Sequence, residues 1–152
     1  MSRVEALDVV ILCGGRGTRL GELSAQTPKP LLPVGGEPFL LRVLRRLKDE
    51  GFSRVILATH YLGEQFQSFV SLHQGLLPSL ELVREPHPLG TGGALRHAIS
   101  VVRTNSFVAL NGDSWFEQPL APVISHHRER KAALTMVVVR ADGVEGGARQ
   151  KG

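Results

Sequence analysis

The chain alternates between short apolar runs and longer stretches with helical spacing. Asp8 to Cys13 (DVVILC) is a β-branched apolar run that stops at Gly14-Gly15, which predicts a buried strand entering a glycine loop. From Gly14 to Gly36 glycine and proline recur too often for a regular element, so a long loop is expected, and long loops in compact domains are usually functional or disordered. Leu40, Val43, Leu44 and Leu47 fall at i, i+3, i+4 and i+7, with Arg42, Arg45, Arg46 and Lys48 on the other face. That spacing predicts an amphipathic helix over Glu37 to Glu50, stopped by Gly51. Further strands are predicted at Arg54 to Thr59, Leu80 to Arg84, Phe107 to Leu110 and Leu134 to Val139. Helices are predicted at Gly63 to His73, Gly92 to Val102 and Ala121 to Lys131.

Short strands alternating with single helices are the pattern of an α/β fold, a Rossmann-like, doubly wound, mostly parallel sheet with helices on both faces. Ligands of such sheets sit beyond the carboxyl ends of the strands. Three segments are expected to meet there: the loop after Cys13, Glu85 to Gly93, and Asn111-Gly112-Asp113. With 152 residues, 42% of them hydrophobic, the chain is long enough for one sizeable core but not for two ordinary domains. Residues 1–140 are read as one domain. The segment 141–152 (ADGVEGGARQKG) has too little apolar surface to order itself, and is read as a frayed tail or the ragged end of a truncated chain.

Charge and composition narrow the partners. Eighteen Lys and Arg against fourteen acids leave +4, but the cations are scattered and aromatic residues make up only 5%, so a nucleic-acid partner is not expected. No apolar run approaches the length of a membrane span, and no basic region with an apolar signal core opens the chain, so a cytoplasmic location with no membrane partner is the expectation. The lone Cys13 cannot form an intramolecular disulfide and reads as a small core residue. The six histidines show no zinc-ligand spacing. His126-His127 reads as helix surface, and His87 reads as an ordinary loop residue, with contact to a ligand the lesser alternative.

The richest chemistry lies in Leu12-Cys13-Gly14-Gly15-Arg16-Gly17-Thr18-Arg19-Leu20, followed by Thr27-Pro28-Lys29-Pro30-Leu31-Leu32-Pro33-Val34. Glycines after a strand let backbone amides approach an anion, and Arg16, Arg19 and Lys29 add cations to the same loop, a combination suited to a triphosphate. It is neither a P-loop, whose G-x-x-x-x-G-K-[ST] is absent, nor a Rossmann G-x-G-x-x-G, since Leu20 stands where the third glycine belongs. Singly these residues are ordinary: glycines make turns, loop arginines are solvated, and Asp113 suits a turn in N-G-D.

Taken together from Leu12 to Pro38, the two halves resemble the signature of the nucleoside-diphosphate-sugar pyrophosphorylases, the sugar-1-phosphate nucleotidyltransferases, with Cys13 in place of the usual alanine. The resemblance implies a nucleotidyl transfer from a nucleoside triphosphate to a sugar 1-phosphate with release of pyrophosphate. It implies that Leu12, Gly14, Gly15, Gly17 and Thr18 lie against the nucleotide, that Arg19 holds the leaving pyrophosphate, and that Lys29 neutralises phosphate near the reacting centre. Gly112-Asp113 is similar to the family's G-D, whose aspartate holds catalytic Mg²⁺. Within Glu85 to Ala94, Glu85 matches the base-reading position and Gly90 a glycine packed against it, with Thr91 beside it.

A carboxylate only accepts hydrogen bonds, and guanine offers two adjacent donors where uracil or thymine offers one, which favours GTP. The flanking runs are most similar to the heptose-1-phosphate guanylyltransferase branch. Mannose-1-phosphate guanylyltransferases, and uridylyltransferases acting on amino sugars, remain competitors. Trp115 reads equally as core or as a ring that stacks on sugar. Family members continue beyond this length, supplying a second metal carboxylate, sugar contacts and often a dimer surface. An inactive nucleotide-binding fragment or regulatory subunit is therefore the second reading, and a homo-oligomer stays open.

Overall fold

The computed structural model describes residues 7–15 and 26–138. Six strands and four α-helices are assigned among them: β1 (Asp8–Leu12), β2 (Pro33–Val34), β3 (Glu37–Pro38), α1 (Phe39–Asp49), β4 (Arg54–Thr59), α2 (Gly63–His73), β5 (Ser79–Arg84), α3 (Gly90–Ile99), β6 (Phe107–Asn111) and α4 (Leu120–Glu129). A 3₁₀ turn, Lys29–Leu31, precedes β2. The chain divides into two compact units, residues 1–119 and 120–152. The first holds the main sheet. The second contains α4, in which His126 is exposed, and His127 Nδ1 lies 2.9 Å from Thr135 Oγ1.

The main sheet is all parallel, in the order β5-β4-β1-β6. Its central strands β1 and β4 are buried along nearly their whole length, as expected of parallel strands covered on both faces. Chain order explains the covering. Through α1 and then α2 the chain steps from β1 to β4 to β5 in one direction, and α3 then carries it back across β4 and β1 to the far side of the sheet. Right-handed crossovers on a path that reverses place α3 opposite α1 and α2. Accordingly Ala98 of α3 packs with Val10, Ile56 and Ala58 on one face, joined by Leu95, Val101 and Val102. Val9, Ile11, Val55 and Leu57 alternate to the other face and are fully buried. This is the doubly wound architecture expected from the sequence, and the reversal falls between β1 and β6.

Several boundaries differ from the sequence reading. The helix expected from Glu37 begins at Phe39, because Glu37–Pro38 pairs antiparallel with Pro33–Val34 across Gly35-Gly36. Both glycines have positive φ, +63° and +87°, the requirement of a tight two-residue hairpin turn. Helix α3 begins two residues earlier than expected, at Gly90 with φ +68°, and ends at Ile99. No strand forms over 134–138, the described part of the stretch read as Leu134 to Val139. Leu134, Met136 and Val138 are exposed there, each above 70%. An apolar run becomes a strand only where a neighbour accepts its backbone hydrogen bonds, and none does so among the described residues. Val139 and the tail 141–152 lie outside the described residues. No described helix is long and apolar enough to cross a membrane.

At the amino ends of the strands, Asp8 and Arg54 are both nearly buried and form a 2.5 Å ion pair. The same guanidinium bonds Glu81 through two nitrogens, at 3.0 and 2.8 Å, and donates to the Val101 carbonyl. Asp8 also accepts from the Arg103 amide. This network ties β1, β4, β5 and the segment after α3 together, and leaves the carboxyl ends of the strands as the open edge.

Candidate active site

At that open edge the backbone continues the sheet by one step on either side of β1. The Cys13 N–H donates to the Ala58 carbonyl at 2.7 Å, and the Gly112 N–H donates to the Leu12 carbonyl at 2.8 Å. Gly112 has no room for a side chain. A Cβ there would stand 2.8 Å from Cys13 Sγ, 2.9 Å from the Leu12 oxygen and 3.2 Å from Pro30 Cγ. The last of these contacts shows how the second half of the long motif is seated. Pro30, buried in the 3₁₀ turn, packs against the end of β6, while the Phe39 N–H donates to the Leu32 carbonyl and holds the turn at the start of α1.

Seated in this way, Lys29 meets Asp113 across 84 positions of sequence, Nζ to Oδ2 2.6 Å. The Lys29 hydrogen bond, against a smaller opposing effect of burial, holds the Asp113 carboxyl below the usual carboxylate range, and Ser114 Oγ donates to its other oxygen. Asp113 is therefore anionic at neutral pH. Both side chains of the pair are 38% exposed, so they remain reachable from solvent. Beneath them Cys13 is buried, and burial, with the Asp113 charge adding to it, pushes its thiol well above the ordinary value. It is a packed core residue rather than a nucleophile.

The second focus lies on the other side of β1. Strand spacing of ~4.8 Å sets the end of β5 about 10 Å from the end of β1, with β4 between. The Glu85 side chain closes that gap. Its Oε1 would lie 2.6 Å from a Cβ on Gly14, so Gly14 must lack one for the carboxylate to approach. Glu85 is 5% exposed; Oε2 accepts from the Leu89 N–H at 3.1 Å and its own N–H donates to the Thr59 carbonyl at 2.7 Å. Pro86 and Pro88 have no amide hydrogen, which leaves Leu89 well placed to serve as the donor.

Helix α3 begins immediately beyond, with Gly90, Thr91, Gly92 and Gly93 forming its first turn. No neighbour crowds the position of a Cβ on Gly90 or Gly92. Its N-terminal amides, which have no partner within the helix, add positive potential at the strand ends, where an anion is favoured.

Of the residues expected from sequence, Leu12, Gly14, Gly15, Lys29, Glu85, Gly90, Thr91, Gly112 and Asp113 all stand at this edge, with Gly15 open to solvent. Arg16, Gly17, Thr18 and Arg19 lie outside the described residues. His87 is exposed. Trp115 is not core: it is 51% exposed, edge-on to Phe39 at 6.4 Å, with the Arg46 guanidinium 5.0 Å from the ring centroid. Two residues of this edge escaped the sequence reading. His60 follows β4, with Nδ1 3.3 Å from the Glu85 carbonyl, and Thr59 is fully buried with Oγ1 unpaired among the described residues. Their position just beyond a predicted strand end was the available signal.

Among the described residues, no group of three or more His, Cys, Asp and Glu side chains is placed to hold a metal. Asp113 offers one hard, anionic oxygen ligand. Mg²⁺ takes few carboxylates and fills the rest of its shell with water and phosphate oxygens, so the donor set fits that ion with a polyphosphate present.

The profile of the family "Nucleotidyl transferase" matches residues 8–146. A mannose-1-phosphate guanylyltransferase of Mycobacterium tuberculosis is 38% identical over 134 residues, covering 88% of this chain and 37% of that protein. A D-glycero-alpha-D-manno-heptose 1-phosphate guanylyltransferase of Aneurinibacillus thermoaerophilus is 34% identical, covering 87% of this chain and 57% of that one. The crystal structure of HddC from Yersinia pseudotuberculosis, complexed with GMP-PN, superposes with a TM-score of 0.73 at 36% identity, over 80% of this chain and 54% of that one. The chain thus spans between about a third and three fifths of the length of these proteins.

Proposed function

The chain belongs to the nucleotidyl transferase family, and on that premise we propose that it forms the nucleotide-binding half of a sugar-1-phosphate guanylyltransferase. The reaction is transfer of GMP from GTP to a sugar 1-phosphate, heptose 1-phosphate or mannose 1-phosphate, with release of pyrophosphate. The observation that carries this reading is Glu85, a nearly buried carboxylate braced by the Leu89 amide and lying against Gly14. Held there it can only accept, and guanine's N1–H and N2–H form the pairing edge that answers it. Two curated relatives named for guanylyl transfer, acting on mannose and on heptose 1-phosphate, support the same choice.

The sugar phosphate needs no strong general base, because a phosphate monoester is largely dianionic at neutral pH, its second pKa being about 6. Its oxygen attacks the α-phosphorus in line with the departing pyrophosphate, so the protein's task is positioning and charge neutralisation. Backbone at Leu12, Gly14, Gly15, Gly17 and Thr18 lies along the nucleotide, as do Gly90, Thr91 and Gly112. Arg19 holds the β- and γ-phosphates, and Lys29 neutralises charge at the reacting centre. Asp113 would hold Mg²⁺, which supplies Lewis-acid polarisation of phosphate oxygens when bound.

Thermal shifts with Mg²⁺ and each nucleoside triphosphate test the reading, since a ligand that binds only the folded state raises the melting temperature by mass action. GTP is expected to raise it more than ATP, CTP or UTP, and Glu85→Gln is expected to narrow the advantage of GTP over UTP. Equal shifts with all four nucleotides would remove the guanine assignment.

A further inference from the structure

We propose that His60 is a positioning residue for the base reader: its imidazole fixes the Glu85 peptide, and through it the angle at which the Glu85 carboxylate meets a nucleobase. The inference rests on the reading of Glu85 given above and assigns a role to a residue that the motif does not include. His60 is the first residue past β4 and is half-buried, and its Nδ1 lies 3.3 Å from the Glu85 carbonyl. A carbonyl can only accept, so Nδ1 must carry the hydrogen, and the neutral ring is then the tautomer with Nε2 bare. The His60 Cβ also lies 3.6 Å from where a Cβ of Gly14 would stand, so the same residue borders the space beside that glycine.

Glu85 is thereby gripped at three points from two elements. Thr59 takes its N–H, His60 takes its C=O, and the Leu89 amide takes one carboxylate oxygen. The Thr59 bond merely extends the β4–β5 ladder by one step, and the Leu89 bond acts on a rotatable side chain. Of the three, the His60 bond is the one that acts on the peptide leading into Pro86, and so on where the carboxylate starts from. A reader held to hydrogen-bond tolerance distinguishes guanine from uracil only while that starting point is fixed, since a loosened carboxylate still meets a single donor but no longer two at once.

Calorimetric dissociation constants for GTP and UTP, both with Mg²⁺, on the wild-type chain and on His60→Ala, His60→Asn and His60→Gln test this. The Asn amide reproduces a donor near the Nδ1 position, and the Gln amide one near Nε2. His60→Ala is expected to reduce the GTP-over-UTP preference about fivefold, the scale of one neutral hydrogen bond. His60→Asn is expected to restore it to within about twofold, and His60→Gln is expected not to. Equal loss of GTP and UTP affinity in His60→Ala, an unchanged preference, or rescue by Gln as good as by Asn would each overturn the inference. A wild-type chain that binds nucleotide without preferring GTP would instead overturn the guanine reading, and this inference with it.

Discussion

Adding one methyl group at Gly112 separates close packing from mere turn-making at the heart of the site. In Gly112→Ala the new Cβ would stand 2.8 Å from Cys13 Sγ and 2.9 Å from the Leu12 oxygen, inside the 3.4 Å at which ordinary contact begins, and 3.2 Å from Pro30 Cγ. None of the three can easily retreat. The Leu12 oxygen is backbone and accepts the Gly112 N–H itself, Cys13 is 2% exposed, and Pro30 is a buried ring. Overpacking a filled site costs about 1–3 kcal/mol, and two contacts below 3.0 Å put this case near the upper end. For a chain of this size each kcal/mol lowers the melting temperature by about 2–4 °C, so a fall of roughly 5–10 °C is expected.

The control is Gly92→Ala, where no atom lies within 4 Å of the added Cβ. In a helix that exchange is neutral or stabilising, by up to about 1 kcal/mol. Urea melts and thermal scans on the two variants and the parent give the comparison directly. If Gly112→Ala melts with the parent, the close seating of Pro30 and Cys13 against β6 is wrong, and with it the explanation of how Lys29 reaches Asp113.

The Lys29–Asp113 pair makes a prediction with a definite sign. Asp113 has a folded pKa held below its unfolded value of about 3.9, so its contribution to stability is present above that value and lost as pH falls through the depressed one. Lys29→Met should move the Asp113 titration, followed by carboxyl carbon NMR, up toward the ordinary range, and an unmoved titration would show that the pair does not persist in solution. At the opposite end of the sheet, Arg54→Ala strands the nearly buried Asp8 and should cost about 3–5 kcal/mol in urea melts. Arg45→Ala, which breaks only a more exposed pair with Glu37, should cost less than about 1 kcal/mol. Similar losses in the two variants would mean that the Asp8–Arg54–Glu81 network does not clamp the strands.

Much of this was legible in the sequence because it depends on neighbours along the chain. The continuous apolar runs in DVVILC and RVILAT, and the i, i+3, i+4, i+7 spacing from Leu40 to Leu47, follow from buried-strand and helix geometry, and the alternation of such segments is enough to imply a doubly wound sheet. The glycines and cations of the long motif could likewise be read as a phosphate-binding chemistry from residue type alone. Boundaries depended on more. Phe39 rather than Glu37 opens α1 because a hairpin elsewhere in the loop claims Glu37–Pro38. The apolar run at 134–138 is no strand, since a strand needs a partner that its own sequence cannot supply. The meeting of Lys29 with Asp113 over 84 positions, the reach of Glu85 to Gly14, and the grip of His60 on Glu85 are consequences of strand order β5-β4-β1-β6. Residue types along a chain determine which groups are available, but only long-range packing, which sets which strand ends lie side by side, decides which of those groups face one another.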